Sequence, residues 1–327
     1  MSMHVISPVD NLEEVDALLS AGADELYGGY VPGKWMERFG LLGSINQRTF
    51  SQAQIDSFEE LQGIVARVHG EGKSFSLTLN APFYSDRQLP LILELVDEAV
   101  AAGVDGIILA DLGLLRCLRR RHEHLELHAS TLAHIGNSGA VDFYRRQGID
   151  RVVFPRHLTT TEMTQVGGVC PEVRFDAFLL VGKCPNTEGL CTFHHSSPDR
   201  IWPCEIPYAI SPLGQEAPGA QPPTEALQAV MARQGSWARS NRRHGCGLCA
   251  IPALVQAGLH GLKLVGRGAA TAQKLLNISL ARQFLQLAAE EKDFENYRRL
   301  AMAAHRSRFG TVCEPNVCYY PEFYSSE

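Results

Sequence analysis

The sequence predicts an α/β fold: a (β/α)8 TIM-like barrel, complete or distorted, with a long cysteine-bearing insertion and a helical C-terminal extension. Eight short apolar runs alternate with amphipathic stretches of helical length. Several of these stretches end in a repeated Ala-Gly-x-Asp/His phrase, as at Ala21–Asp24, Ala102–Asp105 and Ala257–His260, and this phrase is typical of a β/α array with a parallel sheet. The chain has 327 residues, 45% of them apolar, enough for one barrel or two smaller domains. A doubly wound open sheet is the alternative, although no Gly-x-Gly-x-x-Gly follows the first strand.

The elements follow one another in a regular order. Asp10 is placed to cap the first helix, and the second helical stretch carries apolar residues at helical spacing. The candidate strands are His4–Ser7, Glu25–Gly29, Ser74–Asn80, Gly106–Ala110, Leu125–His128, Arg151–Phe154, Phe175–Val181 and Gly261–Val265. The candidate helices between them are Asn11–Ala21, Ser51–His69, Leu89–Ala102, Gly113–Arg121, Ser138–Gln147 and Thr160–Val166.

This order predicts two parts of the chain. Residues 1–267 form the barrel, including an insertion at 185–248 that is rich in Pro and Gly and long enough to indicate a functional loop. Residues 268–327 form the extension, with helices at Thr271–Glu291 and Phe294–Arg308 and a tail rich in Cys and Tyr.

Charge and composition limit the function classes. A net charge of −6 makes a nucleic-acid partner less favoured than a small molecule. No run of 18 apolar residues predicts a membrane span, and the N-terminus is too short and polar for a signal peptide, so we expect a cytoplasmic protein. Nine cysteines in such a protein indicate metal or redox chemistry and not a disulfide scaffold.

The cysteines form the strongest functional signal. Cys184 and Cys191 follow an apolar strand, and Cys204 and the pair Cys246/Cys249 come later. Thiolates gathered from loops suit an iron–sulfur cluster, and the C-x-x-C pair leaves zinc as an alternative. Cys117 and Cys170 are interpreted as structural. Three roles stay open for Cys313 and Cys318: a second metal site, a replacement ligand at the first site, or no metal binding.

Polar residues at predicted strand ends are candidates for the active site, because barrel sites lie there. The catalytic candidates are His128, Ser130, Asp111 and His157, with an N-cap as the alternative role of Asp111. The substrate-binding candidates are Tyr27, Asn80, His128, Ser130, Thr131, Arg156, Lys183 and Arg267, whose cations suit the carboxylates of a small acid or the charge of a cluster. Nothing in this set predicts a serine-peptidase triad, since no Gly-x-Ser-x-Gly elbow is present.

Three stretches together resemble the U32 "peptidase" family. The first contains Leu127–Leu132 and Arg151–Met163. The second is Asp176–Cys191, which has the family signature of Cys, four residues, Gly, one residue and Cys. The third is Cys246 followed by an apolar helix and Gly258–Arg267. The resemblance covers about residues 3 to 267.

The resemblance implies more than the family's name. Some members are described as collagenase-like proteases. Others bind a [4Fe–4S] cluster and take part in oxygen-independent hydroxylation of ubiquinone precursors or RNA bases, with prephenate implicated as the hydroxyl donor. Carried over by motif, the cluster ligands are Cys184, Cys191, Cys204 and Cys246, with Cys249 as the alternative to Cys246.

The chain departs from the family at a few positions. His157 and Asp176 stand where the family usually has Glu, and one cysteine remains near Cys204 where the family often has two. The phrase Lys-Ile-Glu-Gly-Arg has become Lys263–Arg267 without its acidic residue.

The sequence thus favours an iron–sulfur oxidoreductase of the oxygen-independent hydroxylase type. We expect it to act on a small molecule, such as a prephenate-like acid, with an electron donor. The alternatives are a U32-type peptidase and a non-catalytic [4Fe–4S] subunit that pairs with a homologous chain, and a homodimer is also open.

Overall fold

The computed structural model shows a closed barrel of eight parallel strands in sequence order, which confirms the predicted (β/α)8 fold and makes the open-sheet alternative wrong. The structure describes residues 3–40, 44–48, 50–184, 189–190, 222, 224–229, 244–315 and 317–324. The strands are β1 His4–Pro8, β2 Glu25–Gly28, β3 Ser74–Leu79, β4 Gly106–Leu109, β5 Glu126–Ala129, β6 Arg151–Val153, β7 Arg174–Phe178 and β8 Gly261–Lys263.

Helices surround the barrel, and their apolar faces pack against the outside of the strands. They are α1 Val15–Ser20, α2 Gly33–Phe39, α3 Phe58–Gly70, α4 Leu89–Ala101, α5 Leu112–Arg121, α6 Ser138–Arg146, α7 Thr160–Val169, α8 Ile251–Gln256, α9 Thr271–Glu290 and α10 Phe294–Phe309. Two predicted helices start later than expected. The side chain of Ser57 caps α3, so Ser51–Ala53 is a separate 3-10 turn, and Leu12–Glu14 is likewise a 3-10 turn before α1.

The N-terminal end of the barrel interior holds a buried ion network. Arg151 Nη1 lies 2.6 Å from Glu25 Oε2 and 3.5 Å from Asp176 Oδ2, and its Nη2 lies 2.5 Å from Glu126 Oε1. Burial opposes ionisation of Asp176, but Arg151 and His260 hold the pKa of its carboxyl below the usual range. The N-terminal end of a (β/α)8 barrel contributes to stability. Because the ion network fills this part of the interior, the side chains open to a ligand lie nearer the C-terminal ends of the strands.

Helix α9 completes the ring, because it packs against β1, α1 and α8. Its Lys274 is buried, with Nζ 2.6 Å from Asp10 Oδ2 and 2.5 Å from Glu14 Oε1. The proposed division of the chain at residue 267 stays a prediction. Among the described residues, no helix is both long enough and apolar enough to span a membrane.

The tail returns to the C-terminal end of the barrel. Cys318 forms a parallel bridge with Cys246, which itself bridges Leu180 just beyond β7. The Tyr320 hydroxyl donates to the Phe178 carbonyl at 2.7 Å, and the Tyr319 hydroxyl donates to the Val181 carbonyl. The tail is therefore part of the barrel mouth.

Candidate functional site

Tyr27 forms part of the floor of the mouth. It is the third residue of β2, lies in the barrel interior and donates its hydroxyl to the Leu264 carbonyl at 2.7 Å. Burial raises the pKa of Tyr27, although Arg267, Arg48 and Arg156 oppose this. Three cations therefore act on one neutral tyrosine at the base of the mouth.

Arg267 is a buried cation held by neutral groups. It donates to the Ala53 carbonyl, to Asn46 Oδ1 at 3.2 Å and to Gln54 Oε1 at 3.1 Å. A Cβ on Gly29 would lie 1.9 Å from its Nη2, so only glycine leaves room for the guanidinium. Burial lowers the pKa of Arg267 to about 10, and in the described part of the chain no carboxylate forms an ion pair with it. A buried cation in this state favours an anionic partner.

Lys263 is a second buried cation, and the sequence reasoning did not select it. It is the third residue of β8, is 7% exposed and places Nζ 3.9 Å from the centroid of the Tyr27 ring. Burial lowers its pKa to about 8, although Asp176 and Glu25 raise it. No described carboxylate is close enough to pair with the ammonium. A lysine inside an apolar strand was the signal that could have found it.

His128 and Ser130 point into the barrel but have different partners. His128 Nε2 lies 2.6 Å from Glu126 Oε1, so this side chain belongs to the ion network below. The Ser130 hydroxyl accepts from Asn80 Nδ2 and from the Leu132 amide, each at 3.3 Å. Asn80 and Ser130 thus meet at the mouth, while His128 does not join them.

The next three candidates lie on separate loops. Thr131 Oγ1 is buried without a hydrogen-bond partner in the described structure. Asp111 caps α5 through the Leu114 amide at 2.6 Å and accepts from the Tyr84 amide at 3.2 Å, which is the structural role weighed for it. Burial and then His134 lower the pKa of His157, whose ring lies 5.5 Å from that of His134.

Aromatic rings hold two further cations at the end of β7. Arg156 Cζ lies 3.6 Å from the centroid of the Phe178 ring, and its Nε donates to the Tyr319 hydroxyl at 3.4 Å. Lys183 Nζ lies 5.4 Å from the Tyr319 ring centroid. Burial lowers the pKa of Lys183, and nearby Cys318 raises it. Cations and thiols are therefore adjacent here.

Cys184 and Cys246, two of the predicted cluster ligands, lie near the same tyrosine. Burial raises the pKa of Tyr319, and the thiols of Cys184 and Cys246 add to this effect from two separate segments. Cys246 is buried, and burial raises its pKa before Cys249 and Cys318 add to it. In the described chain, no three His, Cys, Asp or Glu side chains are placed to hold a single metal ion. Cys191 and Cys204 lie outside the described residues.

Gly189 explains the glycine of the signature. Its φ is +80°, and a Cβ there would lie 2.6 Å from His134 Cβ and 2.8 Å from the Leu132 carbonyl oxygen. Gly189 therefore packs directly on the loop after β5. Cys246 and Cys318 are buried, Cys184 is half-buried, and the cation Lys183 lies beside Cys184, an arrangement that suits an anionic thiolate cluster.

Cys117 and Cys170 lie apart from this group. Cys117 is on α5, and Cys170 follows α7 with its thiol 3.9 Å from the Ser138 carbonyl oxygen. Both are compatible with the structural role expected of them.

The molecule is thus a (β/α)8 barrel with buried cations in its mouth and thiols at the end of β7. The chain belongs to peptidase family U32, whose family model matches residues 10–316. It is 25% identical over 187 residues to tRNA hydroxylation protein P of Escherichia coli K12, covering 57% of this chain and 38% of that protein.

Two further relatives differ in their named activities. The chain is 28% identical over 210 residues to a collagenase of Porphyromonas gingivalis, covering 60% of this chain and 47% of the other. It is 24% identical over 162 residues to the 23S rRNA 5-hydroxycytidine C2501 synthase of E. coli K12, covering 47% and 24%. The chain spans less than half the length of these relatives.

Proposed function

We propose that this protein is an iron–sulfur oxidoreductase of the hydroxylase type, whose barrel mouth binds a small carboxylic acid. The observation that carries the proposal is the pair of buried cations, Lys263 and Arg267, without carboxylate partners in the described chain and next to the cysteine loop of β7. A carboxylate in the mouth would satisfy both cations, and a prephenate-like acid has the required charge.

The proposed cofactor is a [4Fe–4S] cluster on the signature cysteines, with Cys184 and Cys246 as its described ligands and Cys191 and Cys204 as implied by the family. When bound through four thiolates, the cluster would supply electron transfer. The chain's own residues bind and orient the acid: Lys263 and Arg267 by charge, and Asn80 by its amide. Tyr27 and Phe178 line the interior and restrict the water around the acid.

The names of two relatives favour RNA as the molecule that is hydroxylated. The net charge of −6 argued against RNA, but it does not describe the mouth, where Arg48, Arg156 and Lys183 add to the two buried cations. An RNA base as acceptor, with the acid as donor, is therefore the second candidate. Mass spectrometry of RNA nucleosides from cells with and without the gene distinguishes the two candidates. A hydroxylated nucleoside that disappears without the gene favours RNA, and an unchanged set of nucleosides favours the small molecule.

A serine-peptidase mechanism has little support. Ser130 is hydrogen-bonded to Asn80 and the Leu132 amide, and His128 is paired with Glu126, so these described side chains do not form a nucleophile–base pair. Hydrolysis of gelatin by cluster-free protein, abolished by Ser130→Ala, would reverse this conclusion.

Anaerobic reconstitution tests the cluster. We expect about four iron and four sulfide per chain, with a broad visible absorption band. Cys184→Ala and Cys246→Ala should lose both, while Cys117→Ala and Cys170→Ala, which lie away from the mouth, should keep them. A chain that takes up zinc and shows no visible band would refute the proposal.

A further inference from the structure

Hydrogen bonds hold the tail, residues 317–324, against the mouth of the barrel. The Cys246 amide donates to the Val317 carbonyl at 3.0 Å, and the Tyr319 amide donates to the Cys246 carbonyl at 2.8 Å. The Thr160 amide donates to Glu322 Oε1 at 2.8 Å. Val317 through Tyr320 are all buried. The backbone of the tail therefore has a defined position beside a proposed cluster ligand.

That position places two thiols side by side. Cys246 and Cys318 are partners in a parallel bridge, so their side chains leave the backbone on the same side, with strands about 4.8 Å apart. Cys318 is only 7% exposed.

The segment that carries Cys184 packs against the same group. Gly245, next to Cys246, accepts a hydrogen bond on its carbonyl from the Val181 amide at 2.7 Å, and a Cβ on it would lie 2.9 Å from the Lys183 backbone nitrogen and 3.1 Å from Tyr319 Cε2. Lys183 directly precedes Cys184, and its Nζ lies 5.4 Å from the centroid of the Tyr319 ring, next to Cys318. Three segments, each with one cysteine, therefore meet at Lys183 and Tyr319. A cubane cluster holds its thiolates further apart than a single ion does, so this looser grouping suits a cluster better than zinc.

The fourth ligand is where the chain departs from its family. The family often has two cysteines near Cys204, and this chain has one. We propose that the tail residue Cys318 supplies the fourth thiolate of the cluster, at the position that the family resemblance gives to Cys204. This inference rests on the proposed cluster and changes one of its ligands. Lys183 then lies against the anionic cluster and balances part of its charge.

The test compares three single variants of the full chain after anaerobic reconstitution. Cys318→Ser should lose more than half of the wild-type iron and sulfide and alter the EPR spectrum of the reduced protein. Cys204→Ser and the control Cys170→Ser, which lies away from the mouth after α7, should retain the wild-type content and spectrum. Thermal unfolding of the cluster-free proteins, together with Cys318→Ala, separates loss of a ligand from loss of the fold.

The outcomes are distinct. A wild-type chain without iron would refute the cluster itself. If the wild-type chain does bind the cluster, two results would refute the tail ligand alone. One is full iron content in Cys318→Ser, and the other is loss of iron in Cys204→Ser. Loss of iron in Cys318→Ser alone, with the fold retained, supports the proposal.

Discussion

Lys263→Met is expected to make the fold more stable at neutral pH, although Lys263 is proposed to bind the ligand. Burial lowers the pKa of Lys263 from 10.5 to about 8, against the raising effect of Asp176 and Glu25. A tenfold change in acidity corresponds to about 1.4 kcal/mol, so keeping the ammonium charged inside the barrel costs about 3 kcal/mol. Methionine has a similar length and no charge. The variant should therefore gain up to about 3 kcal/mol in its free energy of unfolding.

The pH dependence of the free energy of unfolding gives a second test of the lowered Lys263 pKa. Below about pH 8 the folded and unfolded chains both hold the Lys263 proton, so its cost is constant. Between about pH 8 and 10.5 the folded chain has lost this proton while the unfolded chain keeps it. The unfolded state then binds more protons, and the free energy of unfolding rises with pH. This rise should be absent from Lys263→Met. Urea unfolding of both proteins from about pH 7 to about pH 10 isolates the difference.

Lys274→Met is the matched control. Lys274 is also a buried lysine, but it has two carboxylate partners, Asp10 and Glu14. Its replacement leaves those charges unpaired and should destabilise the fold by about 3–5 kcal/mol. Calorimetry with prephenate should show at least about tenfold weaker binding to Lys263→Met, because a charged hydrogen bond is lost. A Lys263→Met variant that is less stable than the wild type, or that keeps the alkaline rise, would show that Lys263 belongs to the ion network and would refute the reasoning.

Three other predictions concern the fold and the signature. Arg151→Met leaves buried carboxylates without their guanidinium and should lower the free energy of unfolding by about 3–5 kcal/mol in urea, and an unchanged value would contradict the network. Gly189→Ala should cost about 1–2 kcal/mol at its φ of +80° and reduce iron uptake, whereas Gly168→Ala, with open space around it, should do neither. Burial lowers the pKa of His305 to about 4, so as pH falls from 6.5 to about 4 the unfolded chain gains this proton first and stability falls. His305→Leu should remove that part of the acid sensitivity in an acid titration followed by circular dichroism, and an equal loss in both proteins would contradict the assignment.

The barrel was predictable because its signals are local. The strands are short and mostly apolar, and the turns before β2, β3, β4, β6 and β8 each carry a glycine with positive φ, as at Gly22 and Gly103. Helix starts were less predictable. Ser51 and Ser57 are equally good caps by composition, and only the packing of Phe58 onward decides for Ser57.

The position of the site in the barrel was predictable from the sequence, but the contacts between its side chains were not. Strand alternation places His128 inside the barrel, but the carboxylate of Glu126 draws its ring toward the N-terminal end. Lys263 was missed because its importance depends on Tyr27, a residue far away in sequence. The contact between Cys246 and Cys318 joins segments that no local pattern connects, so a sequence pattern could not reveal it.

The return of the tail to β7 also sets an order of assembly. Tyr319 and Tyr320 close hydrogen bonds to carbonyls more than a hundred residues earlier, at Val181 and Phe178, so the mouth contains contacts of very long loop closure. During synthesis the eight barrel strands emerge first, and this wall of the mouth arrives only when residues 319 and 320 have followed them. The mouth of a nearly finished barrel therefore stays open on one side until the tail docks, and docking is the step that would enclose the proposed cluster.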